Sequence, residues 1–260
     1  MPRIEQHDVF DPLAVGTTVV GIQAALARHD SGAHTHRMGQ LLFALQGCMR
    51  ISVRSPPHLS MLPPTHAAWI PAGVVHRVQL RDVVEYRSVY FDASTHSILP
   101  QDCRVIRINP MMRELLERIT LLPFDTHWEN TPFSALVEVA VHELLQSPQE
   151  PLTLPLPRDR RLAKALSGTA LPPSLFELAR HAGASERTLT RRVKAETGMG
   201  YQQWRQQWRI LRAIELLSMD RPLAVIAQQL GFGSESAFIA FFRHQMGSSP
   251  AAWRRTVRKP

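Results

Sequence analysis

The sequence predicts a chain of two parts in the α+β class, an antiparallel β domain followed by an all-α domain. Three observations predict it. The 260 residues are long for one core and sufficient for two. Charge divides along the chain: residues 1–154 hold 12 Lys+Arg against 15 Asp+Glu, whereas residues 155–260 hold 18 against 7. Hydrophobic patterning changes with it, from short runs between turns to helical spacing, and the C-terminal part contains two copies of one pattern.

From about Val9 to Tyr90 the runs "QLLFAL", "MRISV", "AAWIP", "HRVQL" and "YRSVYF" alternate with Gly, Pro and Asp turns, as in a small antiparallel β domain spanning residues 1–108. Residues 109–147 read as a helical segment for coupling or dimerisation. "MMRELLERITLL" (111–122) and "PFSALVEVAVHELLQ" (132–146) have apolar residues at i, i+3 and i+4, the second through Phe133, Leu136, Val137, Ala140, Val141, Leu144 and Leu145. Residues 148–159 read as a linker, because four prolines fall within "SPQEPLTLPLPRD" (147–159) and break helix and ladder alike. Residues 160–260 read as all-helical. No apolar run approaches membrane-spanning length, and Met1 to Asp11 lacks a charged-then-apolar signal pattern, so a cytoplasmic protein without membrane attachment is expected. Cys48 and Cys103 lack a partner motif and are expected to be reduced, buried thiols.

The repeat has an offset of 49. Ser185 aligns with Ser234, Leu189 with Phe238, Val193 with Phe242, Lys194 with Arg243, Gly198 with Gly247, and Trp204-Arg205 with Trp253-Arg254. A short helix precedes each copy, "SLFELARHAG" (174–183) and "LAVIAQQLGF" (223–232); Ser174 and Glu177 make a capping box at the start of the first. Helix, glycine-containing turn and helix form a helix-turn-helix unit. With Ser185 as N-cap, Leu189 and Val193 face the preceding helix, leaving Arg187, Thr190, Arg191 and Lys194 on the other side. Guanidinium groups can bond guanine bidentately, and hydroxyls and ammonium groups suit bases or phosphates. One basic helix is more often a solvated surface; two copies in so positive a domain favour double-stranded DNA. The second copy presents Ser236, Ile239, Ala240 and Arg243, a less polar face suited to thymine methyls. Between the copies, "YQQWRQQWRILRAIELLSM" carries the stripe Trp204, Trp208, Leu211, Ile214 and Leu217. About 18 helical residues span roughly 27 Å, enough to set two recognition helices about one DNA turn (~34 Å) apart.

Residues from about Leu162 to Arg255 resemble the DNA-binding domain of the AraC/XylS family of transcription regulators. The signature is "AQQLGFGSESAFIAFFRHQMGSSPAAWRR", with Gly231-Phe232, Ser234, Ser236, Phe238, Phe242-Arg243, Gly247, Ser249-Pro250 and Trp253-Arg254 at the family's spacing. The resemblance implies that Arg187, Thr190 and Arg191 hold the main base-reading positions. The family often has Arg or Lys where this chain has Ala240, which implies weaker reading by the second unit.

In the β domain, "GAHTHRMGQLLFALQG" places His34, His36 and Gln40 at one parity, on one face if the stretch is a strand, and the later "PAGVVH" supplies His76. Converging neutral imidazoles can hold Zn, Ni, Fe or Mn; the alternative is a set of pocket-lining or hydrogen-bonded histidines. The spacings are similar to the two cupin motifs, with Gln40 where the family's metal-binding glutamate stands. That resemblance implies a jelly-roll-like β-barrel and a divalent metal as a possible cofactor, with an amide as the poorer fourth ligand. His29, His58 and His66 have no comparable spacing and are expected at the surface. Met38, Phe43, Trp69 and Tyr90 are expected in the core, one or two of them lining a pocket.

Together these features predict a sequence-specific transcription regulator, activator or repressor, whose cupin-like half senses a small molecule or metal. The resemblance to cupin-bearing AraC-type regulators further implies a homodimer formed through the helical segment and contact with RNA polymerase. "HRMGQLLFALQG" and "AAWIPAGVVH" are similar to a branch implicated in nitroimidazole resistance through a neighbouring exporter gene. The competing reading is a cupin metalloenzyme, a dioxygenase or isomerase, joined to a DNA-binding module; the absent glutamate argues against it.

Overall fold

A computed structural model describes residues 10–81, 84–95, 97–129, 131–166 and 171–258. Residues 1–9, which carry most of the signal-peptide reading, lie outside the described residues. The strands are β1 (Val19–Leu26), β2 (His29–Asp30), β3 (Gly39–Ala44), β4 (Met49–Arg54), β5 (Pro57–Leu62), β6 (His66–Ile70), β7 (His76–Leu80), β8 (Val84–Phe91), β9 (Arg104–Arg107) and β10 (Thr153–Pro155). The helices are α1 (Pro110–Leu121), α2 (Ser134–Gln146), α3 (Arg160–Leu166), α4 (Leu175–Ala182), α5 (Glu186–Thr197), α6 (Tyr201–Ser218), α7 (Leu223–Gln229), α8 (Glu235–Met246) and α9 (Pro250–Arg258). The α+β class therefore holds, with strands where the five quoted runs predict them.

The strands form two five-stranded antiparallel sheets, ordered β1-β8-β3-β6-β9 and β10-β5-β4-β7-β2. Two sheets of this kind agree with the expected antiparallel, jelly-roll-like β domain, and among the described residues neither sheet closes on itself. The proline-rich stretch also differs from its expectation as a bare linker. Thr153–Pro155 pairs with Ser60–His58 of β5, at the edge of its sheet, where a residue without an N–H is tolerated.

By internal contacts the chain divides into two compact units, residues 1–54, 62–152 and 256–260, and residues 55–61 and 153–255. In the first, alternation on β3 and β8 sends Leu41, Phe43, Val89 and Phe91 to one side. There they join Met112, Leu116 and Ile119 of α1 and Val137, Val141 and Leu144 of α2 in one buried core. Tyr90 joins Val20, Ile22 and Met38 in a second, separate cluster. Asn109 caps α1 by accepting from the Met112 N–H at 2.8 Å, with Pro110 at its first position, where the missing N–H costs nothing. Leu144 is fully buried, while Val139 and Leu145 of α2 stay 41% and 36% exposed. Cys48 and Cys103 are not joined in a disulfide and are only partly buried, contrary to the buried position expected for them.

The second unit reproduces the 49-residue repeat as geometry. α5 and α8 are both 12 residues long, their N-caps Ser185 and Ser234 accept from the amides three residues on, and Gly198 and Gly247 end them at φ 73° and 71°. Left-handed backbone of that kind favours glycine. The capping box of Ser174 and Glu177 starts α4. α6 is the 18-residue connector; its Trp204, Leu211, Ile214 and Leu217 are buried. Among the described residues no helix is long and apolar enough to cross a membrane.

Gly21 of β1 lies against the backbone of α1, where an added Cβ would sit 2.5 Å from the Ile119 carbonyl oxygen and 2.7 Å from the Thr120 Cα. Gly21→Ala therefore forces α1 away from its sheet. A loss of about 1–3 kcal/mol is expected, measurable by urea denaturation followed through tryptophan fluorescence.

Candidate functional site

His34, His36 and His76 come together. Their ring nitrogens lie within 4.8 Å of one another, and their ring centroids are 4.4 to 5.1 Å apart. The expected strand is absent: His34 and His36 precede β3, and backbone bonds set their position instead. The His34 N–H donates to the His76 carbonyl and the His76 N–H to the His34 carbonyl, both at 2.9 Å, and the Gly73 N–H donates to the His36 carbonyl at 2.8 Å. The Pro71–Gly73 turn is thus what brings His76 to the other two.

Each ring is tied to the backbone. His76 Nδ1 lies 2.9 Å from the Val74 carbonyl, His34 Nδ1 lies 3.2 Å from the Gly32 carbonyl, and His36 bonds the Met38 backbone. For a neutral imidazole a carbonyl partner fixes the proton on Nδ1 and leaves a lone pair on Nε2. His76 Nε2 is buried without a hydrogen-bond partner. Burial, with repulsion from His76 and His34, pushes His36 down to about 3. Burial likewise pushes His76 down to about 4, against its bond to Val74. Both are neutral near pH 7, the form in which imidazole binds a metal.

Gln40 belongs to this site through β3. Its buried amide Nε2 lies 2.9 to 3.0 Å from the hydroxyls of Tyr86, Ser88 and Tyr90, two of which its two N–H groups can serve at a time, and its Oε1 has no partner. Tyr86 and Ser88 were not singled out from sequence. Their signal was available: in "YRSVYF" the residues 86, 88 and 90 share parity, and one strand away Gln40 stands opposite Tyr90. Burial raises the pKa of both tyrosines, so their hydroxyls stay protonated. Of the expected core residues, Met38, Phe43 and Trp69 are buried, and Tyr90 is buried and also lines a cavity.

That cavity, about 710 Å³, is lined by His34, His36, Gln40, Tyr86 and Tyr90, with apolar walls including Ile22, Leu26 and Leu80. Its size suits a small organic ligand. Of the remaining histidines, His29 and His58 are partly exposed. His66 departs from the surface expectation: it is 3% exposed on β6, hydrogen-bonded to the Thr65 hydroxyl at 2.9 Å, and burial pushes it down to about 3. β6 lies inside its sheet, between β3 and β9, and this decides the burial.

In the second unit, Ser185, Arg187, Thr190, Arg191 and Lys194 are all exposed on α5, while Leu189 and Val193 are buried with Leu178 and Ala179 of α4. Ser185 Oγ accepts from the Thr188 N–H at 3.2 Å and is committed to capping. Arg192 is exposed as well and pairs with Asp159. On α8, Ser234, Ser236, Ala240 and Arg243 are exposed and Ile239 is half-buried. Ser236, Ile239, Ala240 and Arg243 line a shallow concavity with His244, which sequence reasoning missed although it lies four residues after Ala240.

Residues 178–256 match a helix-turn-helix domain family. Over 237 residues the chain is 32% identical to the HTH-type transcriptional regulator NimR of Escherichia coli K12, covering 89% of this chain and 85% of that protein. A putative AraC-like transcription regulator of Streptomyces antibioticus is 41% identical over 83 residues, 32% of this chain and 27% of that one. Among solved structures, the DNA-binding domain of AdpA in complex with a target DNA is 36% identical and covers 40% of this chain and 94% of that chain, with a TM-score of 0.36. The two curated relatives are named as transcription regulators, in agreement with the regulator reading and not with the metalloenzyme one. The near full-length match to NimR, with the helix-turn-helix repeat at the family's spacing, shows that the chain belongs to the AraC/XylS family of DNA-binding transcription regulators.

Proposed function

We propose that this DNA-binding regulator is switched by a small molecule or metal bound in the cavity beside His34, His36, Gln40 and His76. The observation that carries this reading is a largely apolar cavity of about 710 Å³, with a buried imidazole nitrogen left unpartnered beside it, in a chain that also carries a DNA-binding module. Occupancy shifts the protein between states that differ in DNA affinity or in contact with RNA polymerase, which requires only that the ligand bind one state more tightly. In this reading the regulator acts in the cytoplasm and controls a neighbouring exporter gene. The experiment is a DNA-binding titration on its own promoter region with and without candidate effectors. An effector that changes DNA affinity for the wild type, and not for a cavity-filling Ala24→Phe variant, supports the reading; no change with any occupant overturns it.

Base reading is assigned to Arg187, Thr190 and Arg191 of α5, with Lys194 and Arg243 on phosphates and Ile239 and Ala240 near thymine methyls. Arg187→Ala or Arg191→Ala is expected to cost about 1–3 kcal/mol of specific affinity and to relax preference at one or two base pairs. Equal loss on random DNA, measured by fluorescence anisotropy, would contradict base reading.

Dimerisation is assigned to the outward face of α2, where Val139 and Leu145 remain exposed. Leu145→Glu is expected to give folded monomers in sedimentation velocity. A variant that stays dimeric rules this face out. Leu144→Glu would not serve, because it places a charge in the core.

A further inference from the structure

We propose that the effector is an organic anion that enters the cavity as the charge-balancing ligand of a divalent transition metal held by His34, His36 and His76. The proposal rests on the reading of this cavity as the sensor site and names the chemistry it recognises.

The donor set fits a metal. Three imidazole donors lie within 4.8 Å; a tetrahedral site with bonds near 2.0–2.1 Å brings donors to about 3.3 Å, a closure that small side-chain movements supply. The carbonyls of Gly32 and Val74 stand behind His34 and His76, the backing that orients a ligating ring and leaves Nε2 to the metal. His76 Nε2 and Gln40 Oε1 are both buried and unpartnered, so each gains from a cation or a donor in the site.

The charge of the set does not fit a metal alone. Three imidazoles and one amide supply no negative charge, so a dication would retain its full charge in a partly desolvated cavity, at a large cost. The carboxylates lining the cavity are already engaged. Asp30 pairs with Arg77 and accepts from Gln79 and the Gly32 N–H, and the exposed Asp11 caps the Leu13 N–H. Where Gln40 stands, a glutamate would have neutralised half of the charge from within. With an amide there, compensation has to come from the ligand. Ile22, Leu26, Val78 and Leu80 form an apolar part of the lining, which suits a hydrocarbon or aryl body, and Arg37, which also lines the cavity, is a cation that favours an anionic head. Metal and anion then bind cooperatively, each raising the affinity of the other by the same factor.

The test uses the full chain with Co(II) as the metal and 4-phenylbutyrate as the anion, with 4-phenylbutanol as its neutral counterpart. Calorimetry and the Co(II) visible spectrum are the readouts. The expected result is that 4-phenylbutyrate binds the Co(II)-loaded protein about tenfold or more tightly than the metal-free protein, perturbs the Co(II) bands, and raises Co(II) affinity by the same factor, while the alcohol shows no such gain. Gln40→Glu is expected to bind Co(II) more tightly without the anion and to lose most of the coupling. Co(II) binding that persists in a folded His34→Ala, His36→Ala double variant, equal gains for acid and alcohol, or anion affinity indifferent to the metal would each overturn the proposal. A metal-free ligand that fills the cavity and changes DNA affinity would overturn it and leave the sensor reading standing. If metal and anion couple but DNA affinity never changes, the sensor reading fails instead.

Discussion

The alternation of side chains on β3 and β8 is the constraint from which the β domain and its cavity follow. Leu41, Phe43, Val89 and Phe91 must meet α1 and α2 to bury their apolar surface, and a strand with period two then has no freedom over the residues between them. Gln40, Ser88 and Tyr90 are sent to the other face, where the Gln40 amide meets the hydroxyls. A one-residue slip of β3 would exchange core and cavity, so the register that builds the hydrophobic core also sets the chemistry of the pocket. Gly21 belongs to the same constraint, since the contact of α1 with the sheet requires a residue without a side chain beside Ile119 and Thr120.

The polar groups of the cavity are placed by backbone more than by packing. The reciprocal bonds between His34 and His76 and the bond from Gly73 to His36 hold three imidazoles together, although two of them lie outside regular strands. Such a cluster is unfavourable for charged rings, and burial keeps His36 and His76 neutral. The result is a site rich in lone pairs and poor in charge, beside apolar walls.

The DNA-binding unit works by a different economy. Its two recognition helices share length, caps and terminal glycines, so the frame is duplicated while the exposed surface is not. α5 presents two arginines, a lysine and a threonine; α8 presents mostly small or apolar groups around one arginine. In the proposed reading, discrimination between bases concentrates on one half of the module, with the other adding phosphate contact and shape fit.

Much of this was legible in the sequence because it is local. Ser174, Ser185 and Ser234 cap helices within three residues, Gly198 and Gly247 end them, and the spacing of Leu189 and Val193 identifies the exposed face of α5 without knowledge of the rest of the fold. The same holds for the five strand runs and for His34, His36 and Gln40; His76 joins them as a candidate only through the resemblance to the cupin spacing. What required the tertiary structure is non-local. His66 is buried only because β6 lies inside its sheet, Thr153–Pro155 is a strand only because β5 offers an edge, and Leu144 and Leu145 differ in exposure only through the direction from which the core approaches α2. The hydroxyls around Gln40 come from a strand some fifty residues away. Sequence alone determined which residues could act together along one element; the partners across elements, and the neutrality of His36 and His76, depended on how the sheets and helices meet.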